Sequence, residues 1–354
     1  MTIQNYKIGI EKNKGNLQTN YKIKKISEVD TGQLSEFYKK TYYQRYKSLT
    51  SNWRWWYRVG YSEHEPLILS LDNKVIGQAA CLPADLNILG NKIPAIWFVD
   101  YAILPEFMGK GFGKILCSEW MKICPNQITT CNPYSLKVFK KFGWKENLST
   151  QRLARPMNIF KFLPVIKKFK INFLDNTIRY FVKKKYSRNT SISPFEINNN
   201  YKIINDSFKL KKIEQKKEFA QIIKDEKWLY WRLMECPYKK DIFFFEYKNN
   251  FAIVHIFFAK NLKRLNILYT YSTEKYQEDE LLIQMINWSL NNNIDLIWAI
   301  NRKTDFKNIF PTILNKPLLY ACWSSDKEIF KILKNGLLDF HGIDGDNDTS
   351  LYIE

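Results

Sequence analysis

The stretch Pro105-Glu106-Phe107-Met108-Gly109-Lys110-Gly111-Phe112-Gly113-Lys114 decides the reading of this 354-residue chain. It follows an apolar run, Trp97–Leu104, with the character of a strand. It opens a helical pattern over Gly111–Cys124 that Pro125 ends. A glycine-rich turn between strand and helix can aim several backbone N–H groups at one point. The helix N-terminus then favours an anion there. Glycines let a ligand approach the backbone closely, and Lys110 and Lys114 add positive charge. The expected ligand is a pyrophosphate, and a tight turn with solvated lysines is the structural alternative. Two better-known phosphate loops are excluded, since neither G-K-[ST] nor the spacing G-x-G-x-x-G is present.

Outward from this loop the chain reads as a mixed α/β domain. Tyr21–Ile26 is a short strand and Gly32–Tyr46 a helix. Asp72-Asn73 is a turn pair between strands Leu67–Leu71 and Val75–Leu82. After the loop come strand Ile128–Cys131 and helix Pro133–Lys141, with Pro at its start and Gly143 past its end. A similar rhythm returns later. Asn249-Asn250 sits in a hairpin over Ile242–Phe258, followed by strand Leu265–Tyr271, helix Glu278–Leu290 and strand Ile294–Ile300. Trp53-Arg54 and Trp231-Arg232 stand before the two hairpins, the best residue echo of an internal duplication. The expected division is residues 1–155, a basic amphipathic connector at 156–200, and residues 201–354.

There are 55 Lys and Arg against 35 Asp and Glu, a net charge of +20, with 45% hydrophobic and 16% aromatic residues. Such a composition supports packed cores and excludes wholesale disorder. Ten of the basic residues fall in Arg155–Arg188 against one acid, Asp175. The charge is therefore concentrated in the connector, which points to an anionic membrane surface or a phosphorylated molecule rather than to nucleic acid. No apolar stretch approaches the ~18 residues of a membrane span, and the N-terminus has no apolar leader. A cytoplasmic protein, with contact at the inner face of the membrane through the connector as a further expectation, follows. The six cysteines show no C-x-x-C pair, so reduced thiols are expected and no metal site.

One strand beyond the glycine loop stands Asn132-Pro133-Tyr134-Ser135-Leu136-Lys137-Val138-Phe139-Lys140-Lys141-Phe142-Gly143-Trp144. The two motifs together resemble the GNAT family of acyl-CoA-dependent acyltransferases. That family's loop reads [RQ]-x-x-G-x-[GA], and its later helix roughly N-x-x-A-x-x-[LF]-Y-x-x-x-G-[FW]. The resemblance implies a GNAT fold, an α/β (α+β) architecture with a mixed, mostly antiparallel twisted sheet flanked by helices, here duplicated in tandem. It also implies that acetyl-CoA or another acyl-CoA is bound. Met108, Gly109, Lys110, Gly111, Phe112, Gly113 and Lys114 would then hold the pyrophosphate. Ala102, Ile103 and Leu104 would pair with the pantetheine arm like an added strand, and Asn132, Ser135 and Phe139 would complete the cofactor site. Two departures stand out: Met108 replaces the basic or amide residue that often opens the loop, and Phe139 stands where relatives often place a tyrosine that protonates the leaving thiolate. Tyr134 does not occupy that place but is carried as a candidate catalytic residue.

Acyl transfer to an amine needs a proton acceptor. Asp100, on the strand before the loop, is the candidate base, with binding of a substrate hydroxyl or amine as its alternative role. Trp56 and Tyr101 are candidate stacking residues, against core packing as the alternative. The aspartate-rich end contributes Asp344 and Asp346 as candidate partners of an amine. The length and the aspartate-rich end resemble tandem-GNAT proteins of bacterial surface-polysaccharide synthesis. This implies N-acyl transfer, most simply N-acetyl transfer, to a small-molecule or saccharide amine such as an amino sugar. The rivals are aminoacyl transfer of the Fem type, and nucleic-acid or membrane binding without catalysis.

Overall fold

The computed structural model describes residues 21–60, 63–147, 150–158, 192–196, 220–259, 261–272, 274–302, 316–335, 338–339 and 341–344. Asp346 and nearly all of the connector lie outside them. The first half runs β1 (Tyr21–Lys25), α1 (Thr31–Thr41), α2 (Tyr46–Trp56), β2 (Leu67–Leu71) and β3 (Lys74–Pro83). It continues with β4 (Leu86–Ile88), β5 (Asn91–Ile93), β6 (Ile96–Ile103), α3 (Phe112–Met121), β7 (Asn126–Thr130) and α4 (Pro133–Lys140). β8 (Lys145–Asn147) and β9 (Thr150–Pro156) end it. The second half holds β10 (Phe195–Glu196), β11 (Ala220–Ile222), α5 (Glu226–Leu229), β12 (Ile242–Tyr247), β13 (Asn250–Ala259) and β14 (Leu262–Tyr271). Then come α6 (Lys275–Asn291), β15 (Leu296–Arg302), β16 (Lys316–Pro317), β17 (Tyr320–Ser324), α7 (Lys327–Lys334) and β18 (Leu338–Asp339).

Two seven-stranded sheets form the frame. Their orders are β1-β2-β3-β6-β7-β17-β8 and β10-β12-β13-β14-β15-β9-β16. The orders correspond strand for strand. In each, a hairpin leads to an antiparallel third strand, then to one parallel neighbour reached through a helix. Even the bulge repeats. Between β3 and β6, Ala79 stands against both Asp100 and Tyr101, and between β13 and β14, Leu268 is the extra residue. The two sheets thus share one strand topology, the pattern that a duplication would give.

The halves exchange strands. β9, from the first half, pairs with β15 in the second sheet, Thr150 to Arg302 through Pro156 to Leu296. β17, from the second half, enters the first sheet between β7 and β8. A cut at residue 155 therefore divides the sequence but not the sheets, because hydrogen bonding along β9 and β17 joins residues 140 or more positions apart. A third, four-stranded sheet, β18-β11-β4-β5, ties the halves again.

The local reasons for these elements are ordinary. Asp30 caps α1 by accepting from the amides of Gly32 and Gln33, and Asp326 caps α7 in the same way. The aromatic cluster Trp53–Tyr57 belongs to α2 and its C-terminal cap, with Leu49, Trp53 and Trp56 buried at helical spacing. The helix expected over Gly32–Tyr46 is two helices, broken around Tyr42–Arg45. The stretch 219–234, whose pattern also reads as helical, holds β11 at Ala220–Ile222 and turns helical only at Glu226. Trp55 and Trp231 join the halves by reciprocal bonds. Trp55 Nε1 donates to the Trp231 carbonyl at 3.0 Å, and Trp231 Nε1 to the Trp55 carbonyl at 2.7 Å. Among the described residues no helix is long and apolar enough to cross a membrane.

Candidate active site

The strands on either side of the glycine loop separate, and this creates the site. β6 and β7 pair in parallel only at Ile96–Gln127 and Trp97–Ile128. The Thr129 hydroxyl then donates to the Phe98 carbonyl at 2.7 Å. Beyond that bridge the strands part, and Phe98–Tyr101 on one side and Thr129–Asn132 on the other line a cavity of about 700 Å³. That volume lies within the usual range for small-molecule sites. Arg152, Arg264, Asn266 and Trp298, from β9, β14 and β15 of the second sheet, form the opposing wall.

The glycine loop lies at the end of β6. Gly109 and Gly111 have φ of +76° and +85°, the left-handed region that side chains with Cβ adopt at a cost. Gly111 is the N-cap of α3 and offers no side chain to its amides. The helical ladder begins with Ile115 N–H to Gly111 O, so the amides of Phe112, Gly113 and Lys114 precede it and point out of the helix end. A Cβ on Gly109 or Gly111 would meet nothing within 4 Å, which leaves space over the loop. Gly113 is different: a Cβ there would come within 2.6 Å of the Tyr101 hydroxyl, so the helix start packs directly on the cavity strand. Lys110 lies over the Phe107 ring at 5.4 Å, and Lys74 pairs with Glu106 at 3.2 Å. The loop residues thus form a cradle of the kind a pyrophosphate requires, and exposed Met108 leaves its amides undisturbed.

Asp100 lines the cavity but is committed elsewhere. The bulge gives it a φ of +47° and turns its carboxylate toward α2. Arg45 grips it with Nη1 on Oδ1 at 2.7 Å and Nη2 on Oδ2 at 3.3 Å. Trp56 Nε1 donates to Oδ2 at 3.0 Å and the Tyr57 hydroxyl at 2.9 Å. Only 4% of the Asp100 side chain is exposed. Gln78 extends the network, donating to the Tyr57 hydroxyl and accepting from Tyr38. Burial together with the Asp100 charge pushes the Tyr57 and Tyr38 phenols well above their ordinary range, so both stay protonated.

The other expected residues separate into those at the cavity and those elsewhere. Tyr101 lines it, half-buried, with burial raising its phenol. Asn132 lines it too, while its Oδ1 caps α4 by accepting from the Ser135 amide at 2.9 Å. Phe139 borders the cavity as a buried ring stacked on Trp144 and set edge-on to Phe98. Ala102, Ile103 and Leu104 are held on one edge by β3, with Leu104 N–H bonded to the Ile76 carbonyl. Tyr134 is 79% exposed and does not line the cavity, because the Asn132 cap and Pro133 start α4 with that side chain outward. Trp56 is buried and serves Asp100 rather than a substrate face. Asp344 is also buried. It pairs with Lys224 at 2.6 Å and accepts the His341 amide, so it offers no carboxylate to an amine. Arg152, Arg264, Asn266 and Trp298 escaped sequence reasoning, since only the second sheet brings them to the first. Among the described residues no group of His, Cys, Asp or Glu is arranged to hold a metal.

Residues 22–146 match the family described as Acetyltransferase (GNAT) domain. No curated protein sequence matches the chain. Among solved structures it is similar to a GCN5-related N-acetyltransferase from Kribbella flavida, at 9% identity and a TM-score of 0.59, over 87% of this chain and 72% of that one. A GCN5-related N-acetyltransferase from Anabaena variabilis gives 13% identity and 0.56, over 85% and 72%. Saccharomyces cerevisiae N-myristoyltransferase with bound myristoyl-CoA gives 13% and 0.54, over 91% and 80%. The chain thus has the GNAT fold, with residues 22–146 similar to the GNAT acetyltransferase domain.

Proposed function

We propose that the protein is an acyl-CoA-dependent N-acyltransferase, acting from acetyl-CoA in the simplest case. The observation that carries this reading is the opening between β6 and β7 directly before an uncapped glycine loop at the start of α3. The loop amides from Gly109 to Lys114 would take the pyrophosphate. The edge of β6 that β7 leaves unpaired would take the pantetheine arm as an added strand. The thioester would then reach the cavity near Val99–Tyr101. An acceptor amine entering along the second sheet attacks the carbonyl carbon, the C–S bond breaks, and the sulfur leaves as thiolate, a tolerable leaving group. Strand amides stabilise the carbonyl oxygen as its charge develops.

Asp100 acts in this reading as a positioning residue. A carboxylate that already accepts from Arg45, Trp56 and Tyr57 has little capacity left for a substrate proton. Among the described lining residues there is no other carboxylate and no imidazole, so the proton of the attacking nitrogen leaves through water. Three aromatic residues, Tyr42, Tyr101 and Trp298, line the cavity, which supports a saccharide amine, with an amino sugar of surface-polysaccharide synthesis as the candidate class. The test is release of CoA from acetyl-CoA in the presence of amines, with acetylated product identified by mass. Absence of CoA binding would refute the reading.

A further inference from the structure

The second sheet carries cations where the first half has neutralised its own charge. Arg264 and Asn266 alternate along β14 and share one face. Trp298 stands opposite Asn266 in the parallel pair, and Ala154 opposite Trp298 on β9, two residues from Arg152. All of these side chains except that of Ala154 line the cavity. Arg264 is half-buried, its Nε is shielded from solvent and makes no hydrogen bond, and burial holds its guanidinium below the ordinary range. Arg152 is exposed at the rim. Among the described residues no carboxylate pairs with either, and the cavity's own Asp100 is already neutralised by Arg45. The glycine cradle is a separate anion site, since none of Gly109–Lys114 lines this cavity.

We propose that Arg264, supported by Arg152, binds a carboxylate or phosphate group carried by the amine acceptor. A guanidinium presents a planar fork of donors that fits both anions bidentately. The acceptor class is thus an amine with an anionic substituent, such as an amino acid or a phosphorylated or nucleotide-linked amino sugar. This rests on the acyl-transfer reading above.

Cys131 supplies a reporter, because it lines the same cavity while the other five cysteines are buried. Its alkylation by iodoacetate and by iodoacetamide, which differ in a carboxylate, is followed by peptide mass. The expected iodoacetate-to-iodoacetamide rate ratio in the native protein is at least tenfold that of the denatured chain. It should fall to within about threefold of the denatured value in Arg152→Gln/Arg264→Gln, and inorganic phosphate should slow iodoacetate selectively in the wild type. A native ratio no higher than the denatured one, or one unchanged in the variant, overturns the proposal. If the variant does not fold, a lack of selective phosphate protection in the wild type overturns it alone. Calorimetry distinguishes the source of the anion. Acetyl-CoA affinity within twofold of wild type in the variant supports an acceptor site, whereas a tenfold loss assigns the arginines to CoA and overturns it. Succinyl-CoA binding tenfold tighter than acetyl-CoA in the wild type alone moves the anion to the acyl chain and also overturns it. Wild-type protein that binds no acetyl-CoA refutes the acyl-transfer reading itself, and with it the acceptor, whatever the alkylation ratio.

Discussion

Arg45 and Asp100 form a buried ion pair, 2.7 Å between Nη1 and Oδ1, that joins the start of α2 to the bulge of β6 at the cavity wall. Breaking such a pair from one side strands a buried charge and costs about 3–5 kcal/mol. Asp100→Asn and Arg45→Met should each lower stability by that order in denaturant melts. The double variant should lose less than the sum, because it strands no charge. In folded Asp100→Asn the pH dependence of kcat/KM should keep its wild-type limbs. Loss of a limb would restore Asp100 as the catalytic base.

Gly113 has a second, steric role that depends on Tyr101. A Cβ at position 113 would meet the Tyr101 hydroxyl at 2.6 Å. Gly113→Ala should therefore destabilise the protein by about 1–3 kcal/mol. In a Tyr101→Phe background, which removes the obstructing oxygen, the same substitution should cost much less. Thermal unfolding of the four proteins measures the coupling.

The reciprocal bonds between Trp55 and Trp231 make one joint between the halves, with ring centroids 6.0 Å apart. Trp231 is almost fully buried. Trp231→Ala should cost about 3–5 kcal/mol. Trp231→Phe keeps most of the ring and should lose about 1 kcal/mol with the hydrogen bond. Equal losses in equilibrium unfolding would show that the indole hydrogen bond, and not the packing of the ring, governs the joint.

Alkali should weaken the fold in a defined window. Burial pushes the Cys117 and Cys322 thiols up to about 12 from an ordinary 9. Between those values the unfolded chain has released a proton that the native state still holds. Stability from these groups is complete below pH 9 and is lost as pH rises toward 12. Melting temperatures should be flat up to about pH 8.5 and fall above pH 9. Cys117→Ala should make that fall shallower.

The glycine loop and its helices were legible because their signals are local. Gly109 and Gly111 mark positive φ, and Asn132-Pro133 marks a helix start. The hairpins were legible for the same reason: Asp72-Asn73 takes the left-handed turn conformation as a pair, and in the second hairpin the left-handed pair is Lys248-Asn249, one residue before the expected Asn249-Asn250. Exchange of β9 and β17 was not, because pairing across 140 or more residues leaves no periodic trace. Asp100 showed itself as a carboxylate on the right strand, but its partners Arg45 and Tyr57 are ordinary residues of another element. Arg152 and Arg264 were invisible as a site until two sheets faced each other. Asp344 stood out in an aspartate-rich end as a candidate partner of a substrate amine, but the amine it meets is the chain's own Lys224.

Binding of acetyl-CoA at the glycine loop is the claim on which the account depends. Titration calorimetry of the wild type and Gly111→Glu tests it most directly. The side chain at position 111 would enter open space, so the substitution costs only the roughly 1–2 kcal/mol of an unfavourable φ while setting a carboxylate where the pyrophosphate should lie. The account predicts one acetyl-CoA per wild-type chain, and no measurable binding to a folded Gly111→Glu. A wild type that does not bind, or a variant that binds with unchanged affinity, would contradict it.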